Sequence, residues 1–385
     1  MDRRSLGGFA RCRDSCAAFS LATPPDSVVS PAESRSMTVN TKRVFYVKYL
    51  AHPIYTDILA TRPDVWLDRL ENDSSDAIAA PILAAAHVYQ VGAARDELAR
   101  HFHVDADLLR RAPNLLMVSS NGAGFDPVDV EACTAAGVIV VNQSGGNAQS
   151  VAEHALGMML TLSKRIIEAD RALRREPNVN RNNLVGTEVH GRTIGIVGIG
   201  NVGRRIAALC SGLLGMTVLA YDPYLTSQEI AARGAEKVEL DDLMRRSDFV
   251  SINCPLTRES RGMIGARQFG LMPPHAFFIT TARGFIHDED ALLAALRDRR
   301  IAGAGLDVWA KEPPPPEHPL LQFDNVLASP HTAGVTKEAR ANMGRIAADQ
   351  VLDALDGNRP PRLINPEVWP AYVRRFEQTF GVTPK

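Results

Sequence analysis

From Arg43 onward the chain alternates short β-rich apolar runs with stretches of helical spacing. Arg43 to Leu50 reads as a first strand centred on Val44 to Val47, followed by runs at Ala86 to Val91, Leu115 to Ser119 and Val138 to Asn142. Strands separated by helical patterns predict parallel βαβ units, because a parallel pair needs a crossover long enough to hold a helix. Ser150 to Lys164 carries apolar residues at Val151, Leu156, Met159, Leu160 and Leu162. That arc is broad enough for a largely buried helix, placed where the chain crosses from one domain to the next. Arg174 to Thr187, with Pro177 and four asparagines, predicts a polar surface connection.

A second βαβ series follows. Its strands are expected at Thr193 to Val197, Thr217 to Tyr221, Phe249 to Asn253, Phe277 to Thr280, Gly303 to Val308 and Val326 to Ala328. Helices are expected at Arg204 to Leu214, Leu240 to Arg246, Glu289 to Arg297 and Lys337 to Leu355. Six strands is the count of a dinucleotide-binding sheet. The four prolines from Pro313 to Pro316 read as a rigid loop.

A length of 385 residues exceeds what one hydrophobic core normally organises, so two domains are expected. The 43 basic and 44 acidic side chains balance, so no overall positive field draws the chain to nucleic acid or to an anionic membrane. No apolar run approaches the roughly 20 residues that span a bilayer. Five scattered cysteines, Cys12, Cys16, Cys133, Cys210 and Cys254, suit reduced thiols and a cytoplasmic location. Cys12 and Cys16 lack a second ligand pair, so no metal is expected. Residues 1–37 mix arginines with Ser, Pro and three aspartates, and read as a disordered extension.

Gly198, Gly200 and Gly203 fit G-x-G-x-x-G, and their context is stronger than the glycines alone. An apolar strand leads into them and a helix follows at once. Gly198 permits a tight turn, Gly200 admits a pyrophosphate without a Cβ in the way, and Gly203 allows close helix-to-strand packing at an anion-binding helix terminus. After the next strand, Asp222 stands nineteen positions beyond Gly203, where a carboxylate can accept both ribose hydroxyls. The same charge would repel a 2′-phosphate, so NAD is expected rather than NADP. Gly122-Ala123-Gly124 precedes no long helix and is not a second pyrophosphate loop, but its amides suit a small carboxylate.

Oxidising an alcohol with NAD needs a base for the hydroxyl proton and a fixed cation for a neighbouring carboxylate. Arg283, Glu312 and His331 all stand just beyond expected strand carboxyl ends, where ligands of open α/β sheets bind. Singly, each reads as an ordinary loop residue. Together with Ser150-Val151-Ala152-Glu153-His154, Tyr221-Asp222-Pro223, Thr281-Ala282-Arg283-Gly284, Gly305-Leu306-Asp307-Val308, Ser329-Pro330-His331-Thr332 and Asn365-Pro366-Glu367, their order resembles the D-isomer-specific 2-hydroxyacid dehydrogenase family.

The resemblance runs from about Pro113 to Val368 and implies an α/β fold of two Rossmann-like domains. One is a NAD-binding doubly wound parallel sheet over residues 145–345. The other is a discontinuous flavodoxin-like substrate domain over residues 38–144 and 346–385. It also implies a homodimer through the NAD-binding domain and a small 2-hydroxy or 2-keto acid as substrate. Arg283 resembles the clamp on substrate carboxylate and carbonyl, His331 the general acid/base, and Glu312 its partner. Asp307 resembles the holder of the nicotinamide carboxamide, and Cys254 and Pro255 the wall beside the adenosine. With Gly198, Gly200, Asn201, Val202, Gly203, Asp222 and Ala282 these complete the implied cofactor contacts. Backbone amides from Asn121, Gly122 and Ala123 are the implied carboxylate site across the cleft. His154 reads as a structural residue rather than a second base, and Cys254 as an apolar contact.

One departure bears on substrate. Where phosphoglycerate dehydrogenases carry a phosphate-binding arginine at the end of an early strand, this chain has Gln90. Two other readings stay open: a non-catalytic NAD-sensing scaffold like the related corepressors, and an NADP-linked glyoxylate or hydroxypyruvate reductase, which would need a cation near the ribose.

Overall fold

Every strand pairing that the alternation of strand and helix predicts is parallel. The computed structural model describes residues 41–95 and 98–384. The extension expected at residues 1–37, with Cys12 and Cys16, lies outside the described residues.

The first sheet comprises β1 (Lys42–Val47), β2 (Val65–Leu70), β3 (Val88–Val91), β4 (Met117–Ser120) and β5 (Ile139–Val141), in the order β2-β1-β3-β4-β5. That is the flavodoxin-like order. Period-two alternation sends neighbouring side chains to opposite faces. Phe45, Tyr89, Val118 and Val140 meet α2 (Asp76–Ala85), α3 (Ala106–Arg111) and α4 (Val130–Ala135) on one side. Val44, Val88, Met117 and Ile139 face Tyr55 and Leu59 on the other, where α1 (Ile54–Ala60) lies.

The expected buried crossing helix is α5 (Ala148–Ser163), followed by α6 (Ile166–Arg175). The second sheet takes in β6 (Thr193–Val197), β7 (Thr217–Tyr221), β8 (Glu236–Lys237), β9 (Phe249–Ile252), β10 (Phe277–Thr280), β11 (Gly303–Leu306) and β12 (Val326–Ala328). Its order, β12-β11-β10-β9-β6-β7-β8, runs outward both ways from β6 and is doubly wound. Seven strands replace the expected six, because β8 is a two-residue polar edge strand whose pairing with β7 leaves no hydrophobic trace. Ala152, Ala155 and Met159 of α5 and Ile206 of α7 (Gly203–Leu214) pack under Ile194 and Ile196. Beyond β7 lies the short α8 (Ser227–Ala231). On the opposite face Leu243 of α9 (Leu240–Arg246), Phe269 of α10 (Ala266–Leu271) and Leu292 of α11 (Glu289–Arg297) cover Val250 and Phe278.

The chain then returns to the first sheet. Ala347 and Val351 of α12 (Lys337–Leu355) and Phe376 of α13 (Trp369–Phe380) join the Val44 face. Between these helices Leu363 bridges to Val141, and buried Asn365 accepts the Val140 amide at 2.8 Å and donates to the Val138 carbonyl at 3.1 Å. The exposed edge of β5 is thereby closed against stray pairing. β2, at the other edge, is only half-buried, and Arg43 of β1 holds it through Asp68 at 2.8 Å.

Candidate active site

The fingerprint glycines meet three different surroundings. Gly198 has φ of 86°, and a Cβ there would fall within 2.9 Å of the Cys254 backbone. At Gly203 it would sit 2.3 Å from the Gly198 carbonyl. At Gly200 it would meet nothing within 4 Å. Two glycines therefore let the loop close on itself, and the third leaves open space where a pyrophosphate belongs. Asp222 is tied to this loop, accepting the Ile199 amide at 3.2 Å and the Tyr224 amide at 3.2 Å. Asn201 donates to Ser144 Oγ at 2.9 Å, and the partly buried Val202 side chain packs against the core. Burial, with Asp222 nearby, pushes the Cys254 thiol up to about 11. It is neutral at ordinary pH, as an apolar wall requires, while exposed Pro255 receives Ser260 Oγ on its carbonyl. The loop, its open glycine and the acid fit a dinucleotide.

A cation missed by reading the sequence stands beside this pocket. Arg233 donates to the Ile199 carbonyl at 2.7 Å, on the residue whose amide binds Asp222. Eleven positions separate Arg233 from Asp222, so only the fold brings them to one loop.

The expected catalytic trio converges beyond β10, β11 and β12. His331 Nδ1 lies 2.6 Å from Glu312 Oε2, and Glu312 Oε1 accepts the Trp309 amide at 3.0 Å. The Glu312 hydrogen bond holds His331 above the usual histidine value, against the pull of burial and of the Arg283 charge. Burial pushes Glu312 upward, but its bonds to His331 and Trp309 and the Arg283 charge outweigh that and keep its carboxyl below the usual range. His331 is also left-handed, at φ 55°, a conformation that non-glycine residues adopt only when their surroundings impose it. Gly284 explains why the loops can meet: a Cβ there would lie 2.1 Å from the Trp309 carbonyl.

Asp307 is fully buried. One oxygen accepts Ser329 Oγ at 2.6 Å and the Thr332 amide at 2.8 Å, and the other accepts the Ala333 amide at 2.9 Å. The carboxylate organises the His331 loop.

Arg283 reaches across to the first sheet. Its Nε donates to Asp126 Oδ2 at 3.3 Å, a second nitrogen donates to the Ala282 carbonyl at 2.7 Å, and its guanidinium packs against Gly124. The carboxylate site on this side needs one correction. The Asn121 amide is spent on the Val91 carbonyl at 2.8 Å, and its side chain is pinned between Gln90 at 2.9 Å and the Tyr49 carbonyl at 3.2 Å. Only the amides of Gly122 and Ala123 remain to bind an anion. Gln90 is wholly buried, with its carbonyl oxygen unpartnered. Among the described residues no His, Cys, Asp or Glu cluster is placed to hold a metal.

Residues 156–333 match the family model for the D-isomer specific 2-hydroxyacid dehydrogenase, NAD binding domain. A glyoxylate reductase of Thermofilum pendens is 39% identical over 269 residues, which cover 69% of this chain and 79% of that protein. The chain belongs to the D-isomer specific 2-hydroxyacid dehydrogenase family. A D-3-phosphoglycerate dehydrogenase of Archaeoglobus fulgidus is 40% identical over 254 residues, covering 66% of this chain and 48% of that protein. The chain thus spans about half the length of the phosphoglycerate dehydrogenases it matches. The crystal structure of D-lactate dehydrogenase from Aquifex aeolicus, complexed with NAD and lactic acid, superposes with a TM-score of 0.72 at 25% identity, covering 83% of this chain and 98% of that one. NAD is the cofactor that the matched domain holds.

Proposed function

We propose that this family member is an NAD-dependent dehydrogenase that transfers a hydride between NAD(H) and a small D-2-hydroxy acid or 2-keto acid. The observation that carries this reading is the 2.6 Å His331–Glu312 pair, set beside Arg283 at the carboxyl ends of a doubly wound sheet. When bound, NAD accepts the hydride from C2 in oxidation, and NADH supplies it in reduction. The protein handles the charge and the proton. Arg283 grips the substrate carboxylate and polarises the carbonyl, with the Gly122 and Ala123 amides on the opposite side. His331, kept protonated by Glu312, donates its proton to the carbonyl oxygen in reduction; the neutral ring takes it back in oxidation. Gln90, where an arginine was expected on β3, supports a substrate without a phosphate.

The division into residues 38–144 with 346–385 and residues 145–345 belongs to the same reading. A homodimer through the NAD-binding half is supported by α6, where Ile166 is 51% and Leu173 72% exposed, and by neighbouring Val185 at 72%. Such apolar exposure at one surface suits a partner. Cys133, Cys210 and Cys254 are unpaired, which supports a reducing, cytoplasmic setting.

Absorbance at 340 nm with NADH and a panel of glyoxylate, hydroxypyruvate, pyruvate and phosphohydroxypyruvate tests the activity, with His331→Ala as control. Turnover that vanishes in the control supports the dehydrogenase. Silence across the panel, with NADH still bound by fluorescence, points instead to the NAD-sensing scaffold. Arg233 gives the NADP-linked reading a specific basis, so NADPH is run in parallel; a preference for it would overturn the part given to Asp222.

A further inference from the structure

The loop carrying His331 is fastened by more than Glu312. His154 Nε2, on α5, lies 3.0 Å from Ser329 Oγ, and that hydroxyl lies 2.6 Å from Asp307 Oδ1. His154 and Asp307 themselves stand 3.8 Å apart, too far for a direct hydrogen bond, so the serine bridges them. A carboxylate only accepts, so the Ser329 proton points to Asp307 and its lone pair faces the imidazole. His154 must then carry its proton on Nε2. The remaining Asp307 acceptors take the Thr332 and Ala333 amides, and its backbone carbonyl takes the His331 amide at 2.7 Å. Four donors of one five-residue loop thus converge on a single buried residue, and they enclose the left-handed backbone of His331.

We propose that His154, Ser329 and Asp307 form a relay of positioning residues that holds His331 in its strained conformation and so aligns its ring with Glu312. None of the three touches substrate. A left-handed non-glycine residue relaxes unless its surroundings over-determine it. Asp307 organises the amides around His331, Ser329 donates a further bond to its carboxylate, and His154 orients the serine from a helix buried against the sheet. Loosening the first link lets the loop drift, and His331 loses the hydrogen bond that raises its proton affinity. The other charges facing His331, on Arg283, Glu312 and Asp307, are unchanged by a substitution at His154.

This inference rests on the acid/base role proposed for His331, and its test keeps the two apart. His154→Ala and Ser329→Ala are each expected to lower kcat for 2-keto acid reduction about tenfold, the scale of one buried hydrogen bond, with KM within about twofold of the parent. His154→Gln, whose amide donor reaches the place of Nε2, is expected to recover most of the loss. The double alanine variant should be no slower than Ser329→Ala, because the links act in series. In parallel, 15N NMR of labelled histidines follows the His331 titration without turnover: its midpoint should fall toward the ordinary value in both alanine variants and stay raised in His154→Gln. Unchanged kcat and midpoint in the alanine variants, a Gln variant as impaired as Ala, or additive losses would overturn the relay. If the parent reduces no keto acid, the functional reading fails and the NMR midpoints alone decide the relay. If His154→Ala does not fold, Ser329→Ala carries the same comparison.

Discussion

Two histidine loops of the second sheet make an instructive pair. His331 follows β12 and His287 follows β10, both strands flanking β11. His287 is 3% exposed, neither of its ring nitrogens has a partner, and its ring lies 5.4 Å from that of Phe278. Burial pushes it down to about 4, against a weaker opposing pull from Asp288. His331 is driven the other way by one carboxylate at 2.6 Å. Desolvation acts on both rings, and the partner decides the sign. Their stability linkages are opposite too. The raised pKa of His331 gives stability that is full below its unfolded value and is lost as pH rises through the folded value. The depressed pKa of His287 costs stability as pH falls below about 6.5, because the unfolded ring binds a proton the native ring refuses.

The sharpest way to break this comparison is to remove the proposed acid, His331, while keeping its loop. Asparagine tolerates the left-handed region better than alanine, so His331→Asn should preserve the backbone. Turnover at 340 nm is expected to fall about a thousandfold, the usual weight of a general acid, with NADH binding retained. A loss under tenfold would move the proton to another group. At the other loop, His287→Leu should remove the His287 share of the acid-side slope. With a native value near 4, the slope is about 1.4 kcal/mol per pH unit, so at pH 5 the leucine variant should gain about 2 kcal/mol over its advantage at pH 8. Urea unfolding at the two pH values measures it. Equal differences at both would show that His287 finds a partner.

Glu312→Gln sharpens the same contrast on the other side. Glutamine can still accept from Nδ1 but carries no charge, so reduction is expected to slow about tenfold. Its alkaline limb should also move down toward the ordinary histidine value of about 6.5. A pH profile of kcat/KM reads both effects; an unmoved limb would detach that titration from the pair.

How much of this was legible follows the range of each interaction. The fingerprint could be read because strand, glycines, helix and acid lie within one local stretch from Thr193 to Asp222. Arg283, Glu312 and His331 were legible as strand-end residues, although their contact joins segments 48 positions apart (331 less 283). The pairing of Asn121 with the Val91 carbonyl was not, since a backbone amide carries no residue-specific signal. β2 escaped because Leu70 is the one buried residue of this edge strand, so no inside–outside alternation marks it. The burial of Asp307 escaped because its partners, Ser329 to Ala333, lie on the next strand's loop and mostly donate backbone amides.

The smallest effect belongs to the pair across the cleft. Arg283 meets Asp126 through Nε alone at 3.3 Å, and the two side chains are 26% and 39% exposed. Solvent screens such a contact, which is worth about 0.2–1 kcal/mol in exposed pairs, unlike the short His331–Glu312 bond. Asp126→Asn should therefore leave the melting temperature within a degree or two of the parent, about the shift that a few tenths of a kcal/mol produce in a domain of this size. It also removes a carboxylate that competes for the guanidinium. If Arg283 grips the substrate carboxylate, KM for the 2-keto acid should fall about twofold at low salt, and the difference should shrink as salt screens the competing charge. A rise in KM would mean that Asp126 aims Arg283 at the substrate, and that even an exposed pair can position a binding group.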